Sequence, residues 1–178
     1  MRVIAGIHKG RRLVAPDTPN TRPVADRVKE AVFSSLAESV EGAAVLDLYA
    51  GAGSFGIEAI SRGATSAVFV ESGRAALKAL RANLANTGVE GAVEGRTVES
   101  FVETLDGEFD LVFADPPWPM SSQSLADTLD GLAPHLRAGA VVVISRRSSD
   151  SIPAPVRLTI DTDRRYGDTR IIRYRKAP

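Results

Sequence analysis

The densest chemistry in this 178-residue chain lies in four consecutive residues, Asp115-Pro116-Pro117-Trp118. Before them runs Phe109 to Ala114, nearly continuously apolar and bounded by Gly107 and the prolines, as a strand covered on both faces of a parallel sheet would be. Two successive prolines remove two backbone donors and fix φ, so the strand must stop and the chain must stiffen there. A carboxylate, a rigid turn with free carbonyls and an aromatic face then sit at the carboxyl end of a strand, where open α/β sheets bind ligands. Asp115 and the Pro116 carbonyl can accept the two N–H bonds of an exocyclic amine, while Trp118 stacks on the ring that carries it. The plainer alternative is a strand end with a helix-starting Asp and a core Trp.

A second constellation surrounds Gly51, Gly53 and Gly56, a G-x-G-x-x-G run between the strand Ala44 to Tyr49 and a helix through about Arg62. In that context the glycines mark an adenosine-cofactor loop. Glu71 ends the next strand (residues 67–70), twenty residues after Gly51, where a carboxylate can accept both ribose hydroxyls. Asp47 separates the candidate cofactors. A dinucleotide needs its pyrophosphate at the helix N-terminus, which a nearby unpaired carboxylate would repel. S-adenosylmethionine carries an ammonium and a sulfonium, which Asp47 and strand-end carbonyls such as that of Ala50 favour. The competing roles are a buried structural acid for Asp47 and a helix-start acid for Glu71.

The positioning elements follow from periodicity. Residues 2–6 and 11–15 read as a hairpin with a basic tip, in which Arg2, Lys9, Arg11 and Arg12 could hold phosphates. Residues 24–40 read as an amphipathic helix opened by Arg22, Arg27 and Lys29; cations there oppose the helix dipole and point to a ligand. Further helices are expected at 73–86, 98–105 and 121–136, and strands at 92–97, 140–145, 155–161 and 169–175. Arg164 and Arg165 open the loop between the last two strands. Alternating strands and helices imply an α/β fold with a mostly parallel sheet ending in a hairpin. No repeat or linker interrupts it, so residues 1–178 read as one domain, a basic extension (1–20) on a Rossmann-like core (21–178).

Composition narrows the chemistry. The absence of cysteine excludes disulfides, thiolate metal sites and a cysteine nucleophile, and His8 and His135 are too few and too far apart for a histidine metal centre. No metal is therefore expected. There is no run of eighteen apolar residues and no signal-like N-terminus, so a soluble, cytoplasmic monomer without a membrane partner is expected. The formal charge of zero conceals net +4 over residues 1–30, +5 over 146–178 and −9 between them. Two basic ends suggest an anionic partner.

Several of these runs together resemble the bacterial RsmD-type rRNA methyltransferases: Met1 to Gly6 with Lys9 to Leu13, Thr21 to Phe33, Val45 to Ala64, Asp115 to Trp118, and Tyr166 to Thr169. The resemblance spans essentially the whole chain in order. It implies a class I S-adenosylmethionine-dependent methyltransferase fold with a seven-stranded sheet, methylating N2 of guanine 966 in 16S rRNA of the small ribosomal subunit. It also implies cofactor roles for Asp47, Ala50, Gly51, Gly53 and Glu71, and a catalytic turn at Asp115, Pro116, Pro117 and Trp118. Thr21 to Glu30, with Arg27, would close over the methionine end. Three departures are visible. Val24 stands where the family often has a hydroxyl residue, Trp118 replaces the commoner Tyr or Phe, and Thr97 replaces an acid that contacts adenine, leaving that contact to the Val98 backbone. Rival readings are a DNA adenine-N6 methyltransferase, which lacks a visible target-recognition domain, a non-catalytic RNA-binding assembly factor, and a nicotinamide oxidoreductase.

Overall fold

The run at residues 44–48 is covered on both faces, which places it at the centre of the sheet. A computed structural model describes residues 1–17 and 25–177. Its strands are β1 (Ala44–Leu48), β2 (Ser66–Val70), β3 (Ala92–Glu94), β4 (Phe109–Ala114), β5 (Leu136–Arg147), β6 (Leu158–Tyr166) and β7 (Thr169–Lys176), in the sheet order β3-β2-β1-β4-β5-β7-β6. The first five are parallel, and β7 runs antiparallel between β5 and β6. The helices are α1 (Asp26–Leu36), α2 (Ser54–Ser61), α3 (Arg74–Thr87), α4 (Val98–Glu103) and α5 (Ser122–Leu132).

Alternate residues of the central strands feed two cores. Val45, Leu111, Phe113 and Val143 pack with Phe33, Ile57 and Leu80 of α1, α2 and α3. Leu46, Val112 and Val142 pack with Phe101, Leu125 and Leu129 of α4 and α5. Helices on both faces explain why β1, β4 and β5 are apolar without alternation. Phe55 stacks on Phe113 at 5.0 Å between ring centroids, and Phe33 lies 5.3 Å from Phe113.

The N-terminal extension keeps the antiparallel pairing of the expected hairpin without forming regular strands. Its arms meet at a bridge between Arg2 and Arg12 and through Val3 N to Arg11 O (2.9 Å), Gly10 N to Val3 O (2.9 Å) and Leu13 N to Met1 O (3.1 Å). Beyond that pairing, α2 side chains hold the backbone. The fully buried Glu58 carboxylate accepts from Ile4 N (2.8 Å) and Ala5 N (3.0 Å). Ser61 Oγ donates to Ala5 O (2.6 Å) and accepts from His8 N (3.0 Å). Gly6 has φ +81°, and a Cβ there would sit 1.7 Å from Ser61 O, so only glycine allows this approach. Lys29, also buried, reaches Arg2 O at 2.7 Å, Ser54 Oγ at 3.0 Å and Glu58 at 3.3 Å. Burial lowers its pKa, with Glu58 pulling the other way. Lys29 is therefore a core tether between the extension, α1 and α2, not a ligand cation.

Other boundaries shift for local reasons. The first helix ends in a 3-10 turn at Ala37–Ser39, and α5 likewise gives way to one at Ala133–His135, where Pro134 falls. β5 begins at Leu136, pairing with Phe109 before a register shift, and continues through the expected turn at Gly139. Arg164 and Arg165 are not in a loop. They extend β6, opposite Ile171 and Arg170, and the turn is only Gly167-Asp168, a two-residue hairpin connection.

Candidate active site at the carboxyl edge of the sheet

The strand order reverses between β1 and β4, which makes their carboxyl ends the switch point where such sheets bind ligands. Leu48 pairs with Ala114, and Asp115 N donates to Leu48 O at 3.4 Å. The two candidate constellations therefore meet across one strand spacing. Gly51 and Gly53 have φ +55° and +80°, and Gly53 N closes the turn on Ala50 O at 2.8 Å. Gly56 is needed for packing instead, since a Cβ there would lie 2.3 Å from the Phe69 ring. Glu71 ties the loop to β2, accepting from Gly51 N at 2.8 Å and from Gly73 N at 2.6 Å. Each oxygen retains a second lone pair for a hydroxyl.

Asp47 is buried, and its Oδ2 accepts from Gly56 N at 2.8 Å, in the first turn of α2. Its pKa rises to about 8, chiefly from burial; the Gly56 N–H opposes this, and the charges of Asp115 and Glu71 add to it. Among the described residues no cation contributes to pulling it down. Three carboxylates around a glycine loop, without a counter-charge among the described residues, fit a cationic cofactor group. Asp115 is half-buried and lifted to about 6 by burial, against a hydrogen bond from Ser145. Ser145 follows Ile144, the register partner of Ala114.

Beyond Asp115, Pro116 is buried and Pro117 exposed. Pro117 O accepts from Met120 N at 3.0 Å, which closes a tight turn, while the Pro116 carbonyl is in no backbone hydrogen bond among the described residues. Trp118 is 40% exposed, with the Arg147 guanidinium 4.1 Å from its ring centroid. Val98 is buried at the start of α4, and Thr97 caps that helix, its Oγ1 accepting from Ser100 N at 3.3 Å. Arg27 is exposed in the first turn of α1.

The expected phosphate-binding residues are not gathered at one place. Lys9, Arg11 and Arg12 are exposed on the extension; Arg2 pairs with Asp26 at 3.4 Å. Arg22 lies outside the described residues, as do Thr21 and Val24. Arg164 and Arg165 are exposed near the β6–β7 turn, and Ser148 N, just past β5, donates to Asp168 O in that turn at 2.8 Å. The turn thus sits at the carboxyl edge. Among the described residues, no group of three or more His, Cys, Asp or Glu could hold a metal, and no helix is long and apolar enough to cross a membrane.

The family model described as "Conserved hypothetical protein 95" matches residues 1–175. The chain belongs to that family. Ribosomal RNA small subunit methyltransferase D of Escherichia coli K12 is 40% identical over 119 residues, 66% of this chain and 60% of that protein. This match spans less than two thirds of that relative's length. The protein of the same name from Haemophilus influenzae is 29% identical over 98% of this chain and 92% of its own. A solved structure of a hypothetical protein from Thermus thermophilus superposes with a TM-score of 0.84 at 28% identity, covering 97% of this chain and 98% of that one. The RsmD-type resemblance is borne out, as is the class I S-adenosylmethionine-dependent methyltransferase fold with its seven-stranded, mostly parallel sheet.

Three residues of this RsmD-type chain shape the site without having stood out in the sequence. Tyr49 takes φ +54°, a conformation costly for a non-glycine residue of order 1–3 kcal/mol. From there its hydroxyl reaches Glu99 in α4 at 3.3 Å and Met120 Sδ at 3.6 Å. Arg146 is buried and donates to Met120 O at 2.7 Å while facing Asp150 at 3.0 Å. It joins the turn after Asp115 to the segment after β5. Arg147 covers Trp118. The available signal was two consecutive arginines at the end of a buried strand, where a charge needs a partner.

Proposed function

We propose that this protein transfers a methyl group from S-adenosylmethionine to the exocyclic N2 of a guanine in 16S rRNA of the small ribosomal subunit, at the position corresponding to guanine 966. The observation that carries the reading is the placement of Asp115, the Pro116 carbonyl and Trp118 at the switch point, one strand from the acidic glycine loop. The names of the E. coli and H. influenzae relatives support the rRNA substrate.

Glu71 and the Gly51–Gly53 loop would hold the adenosine ribose, Val98 would border the adenine, and Asp47 would face the cationic end. The cofactor, when bound, supplies an electrophilic methyl group on a sulfonium. The guanine amine is a poor nucleophile because its lone pair is delocalised into the ring. Asp115 and the Pro116 carbonyl would accept its two hydrogens, favour a pyramidal nitrogen and stabilise the positive charge that develops there. Trp118 would stack on the flipped-out base and hold it in line for attack. Arg147 must then leave the ring face. A cation–π contact at an exposed site is worth about 0.5–1 kcal/mol against about 1–3 for a stacked base, so the base prevails.

The test is transfer from labelled S-adenosylmethionine to small subunits lacking the modification, beside naked rRNA and DNA, with the product nucleoside identified by mass. N2-methylguanine in 16S rRNA is the expected product. Methyladenine in DNA, or no transfer to any of the three, would overturn the proposal.

A further inference from the structure

The charge on α3 is anomalous on two counts. Residues 72–89 contain Arg74, Lys78 and Arg81 and no acid, inside a region that is otherwise strongly acidic. Arg74 is also the first residue of the helix, with no acid in the first turn, where unpaired amides favour an anion and a cation costs helix stability. The three cations fall at i, i+4 and i+7 and so share one face. They are exposed, and with Leu77 they line a shallow groove of ≈ 400 Å³. Among the described residues none of the three enters an ion pair, whereas Arg62, Arg96, Arg137, Arg170 and Arg173 each face a carboxylate. An ordinary solvated helix face mixes the two signs; this one does not.

Its location adds to the argument. Arg74 lies three residues past Glu71 at the carboxyl edge, and β2 is two strand spacings, about 10 Å, from β4 and the catalytic turn. α3 then runs about 20 Å to a far end where Arg11 of the extension donates to Asn86 O at 2.8 Å. The cationic row therefore joins the catalytic edge to the exposed Lys9 and Arg12. We infer that the Arg74–Lys78–Arg81 face binds successive phosphates of an rRNA strand running from the catalytic edge to the N-terminal extension. The partner is a polyanion because the groove is open and offers charge without an aromatic platform, which suits backbone contacts that position the substrate without reading its bases. The inference rests on the rRNA reading above.

The test is the double variant Lys78→Gln/Arg81→Gln, which leaves Arg74 beside the cofactor loop. Methyl transfer to unmodified small subunits is measured against salt, together with cofactor affinity. Each lost phosphate contact should lower the salt slope of log kcat/KM by about 0.7–0.9, so about 1.5 in total, with KM raised roughly tenfold. Saturated kcat and cofactor affinity should stay at wild-type values. A wild-type KM and slope would overturn the inference. A photoreactive residue introduced at position 78 should crosslink to 16S rRNA, and crosslinking to a ribosomal protein instead would also overturn it. Absence of transfer by the wild-type protein would refute the underlying rRNA reading, a distinct outcome visible before any variant is compared.

Discussion

Asp47 and Asp115 are both carboxylates raised by burial, yet their positions assign them different work. Asp47, lifted to about 8, anchors the first turn of α2, and no cation among the described residues contributes to its shift. The folded state keeps its proton up to about pH 8, while the unfolded chain releases it near 3.8. Between those values the native state binds more protons, so this contribution to stability is complete below pH 3.8 and is lost as pH rises through about 8. In Asp47→Asn the amide oxygen can still accept from Gly56 N, so the cofactor-free variant should match or exceed wild-type stability at pH 8.5 in urea denaturation, while binding S-adenosylmethionine more weakly. A variant less stable than wild type at that pH would contradict this electrostatic account. Asp115, at about 6, must be ionised to offset the positive charge that develops on the amine while accepting one of its hydrogens, the Pro116 carbonyl accepting the other. Single-turnover rates should therefore fall as pH drops through 6 and level off above it. Trp118→Ala should lose about 1–3 kcal/mol of substrate stacking, read as kcat/KM, and Trp118→Phe should recover most of it; equal activity of the two variants would exclude stacking.

At the scale of elements, the sequence was legible where local rules suffice. The runs at 44–48 and 109–114 admit only a doubly covered strand, the glycines at 51 and 53 fit a tight strand–helix turn, and Asp115 to Trp118 can only end a strand. It was illegible where partners are distant. Beyond its own cross-arm bonds, the extension gives backbone groups to Glu58 and Ser61, more than fifty residues away, and nothing in residues 1–15 announces that. Lys29 read as a dipole-opposing cation because its carboxylate lies on another helix. Thr97, singled out in the sequence only for the acid it replaces, also caps α4. The buried lysine gives the prediction that belongs at this scale. Lys29→Met should cost about 3 kcal/mol in urea denaturation, since it removes a buried partner of Glu58; a loss under about 1 kcal/mol would show that Arg62 alone suffices.

For the whole molecule, the ion pairs refine where the charge read from the sequence is open to a partner. In the carboxyl-terminal segment Arg170 faces Asp163 and both Arg173 and Arg175 face Asp161, while the segment keeps its net +5, with Arg164 and Arg165 exposed. The acidic middle, in turn, contains the unpaired cations of α3. The positive surface open to a partner thus lies at the β6–β7 end of the carboxyl edge, along α3, and on the extension at the far end of α3. In the proposed reaction Asp115 binds the amine that receives the methyl group. That role is tested by the single-turnover rate of Asp115→Asn on unmodified small subunits saturated with S-adenosylmethionine, with cofactor binding measured in parallel. The expected rate is about 10²–10³-fold below wild type with cofactor affinity retained. A wild-type rate in that variant would contradict it.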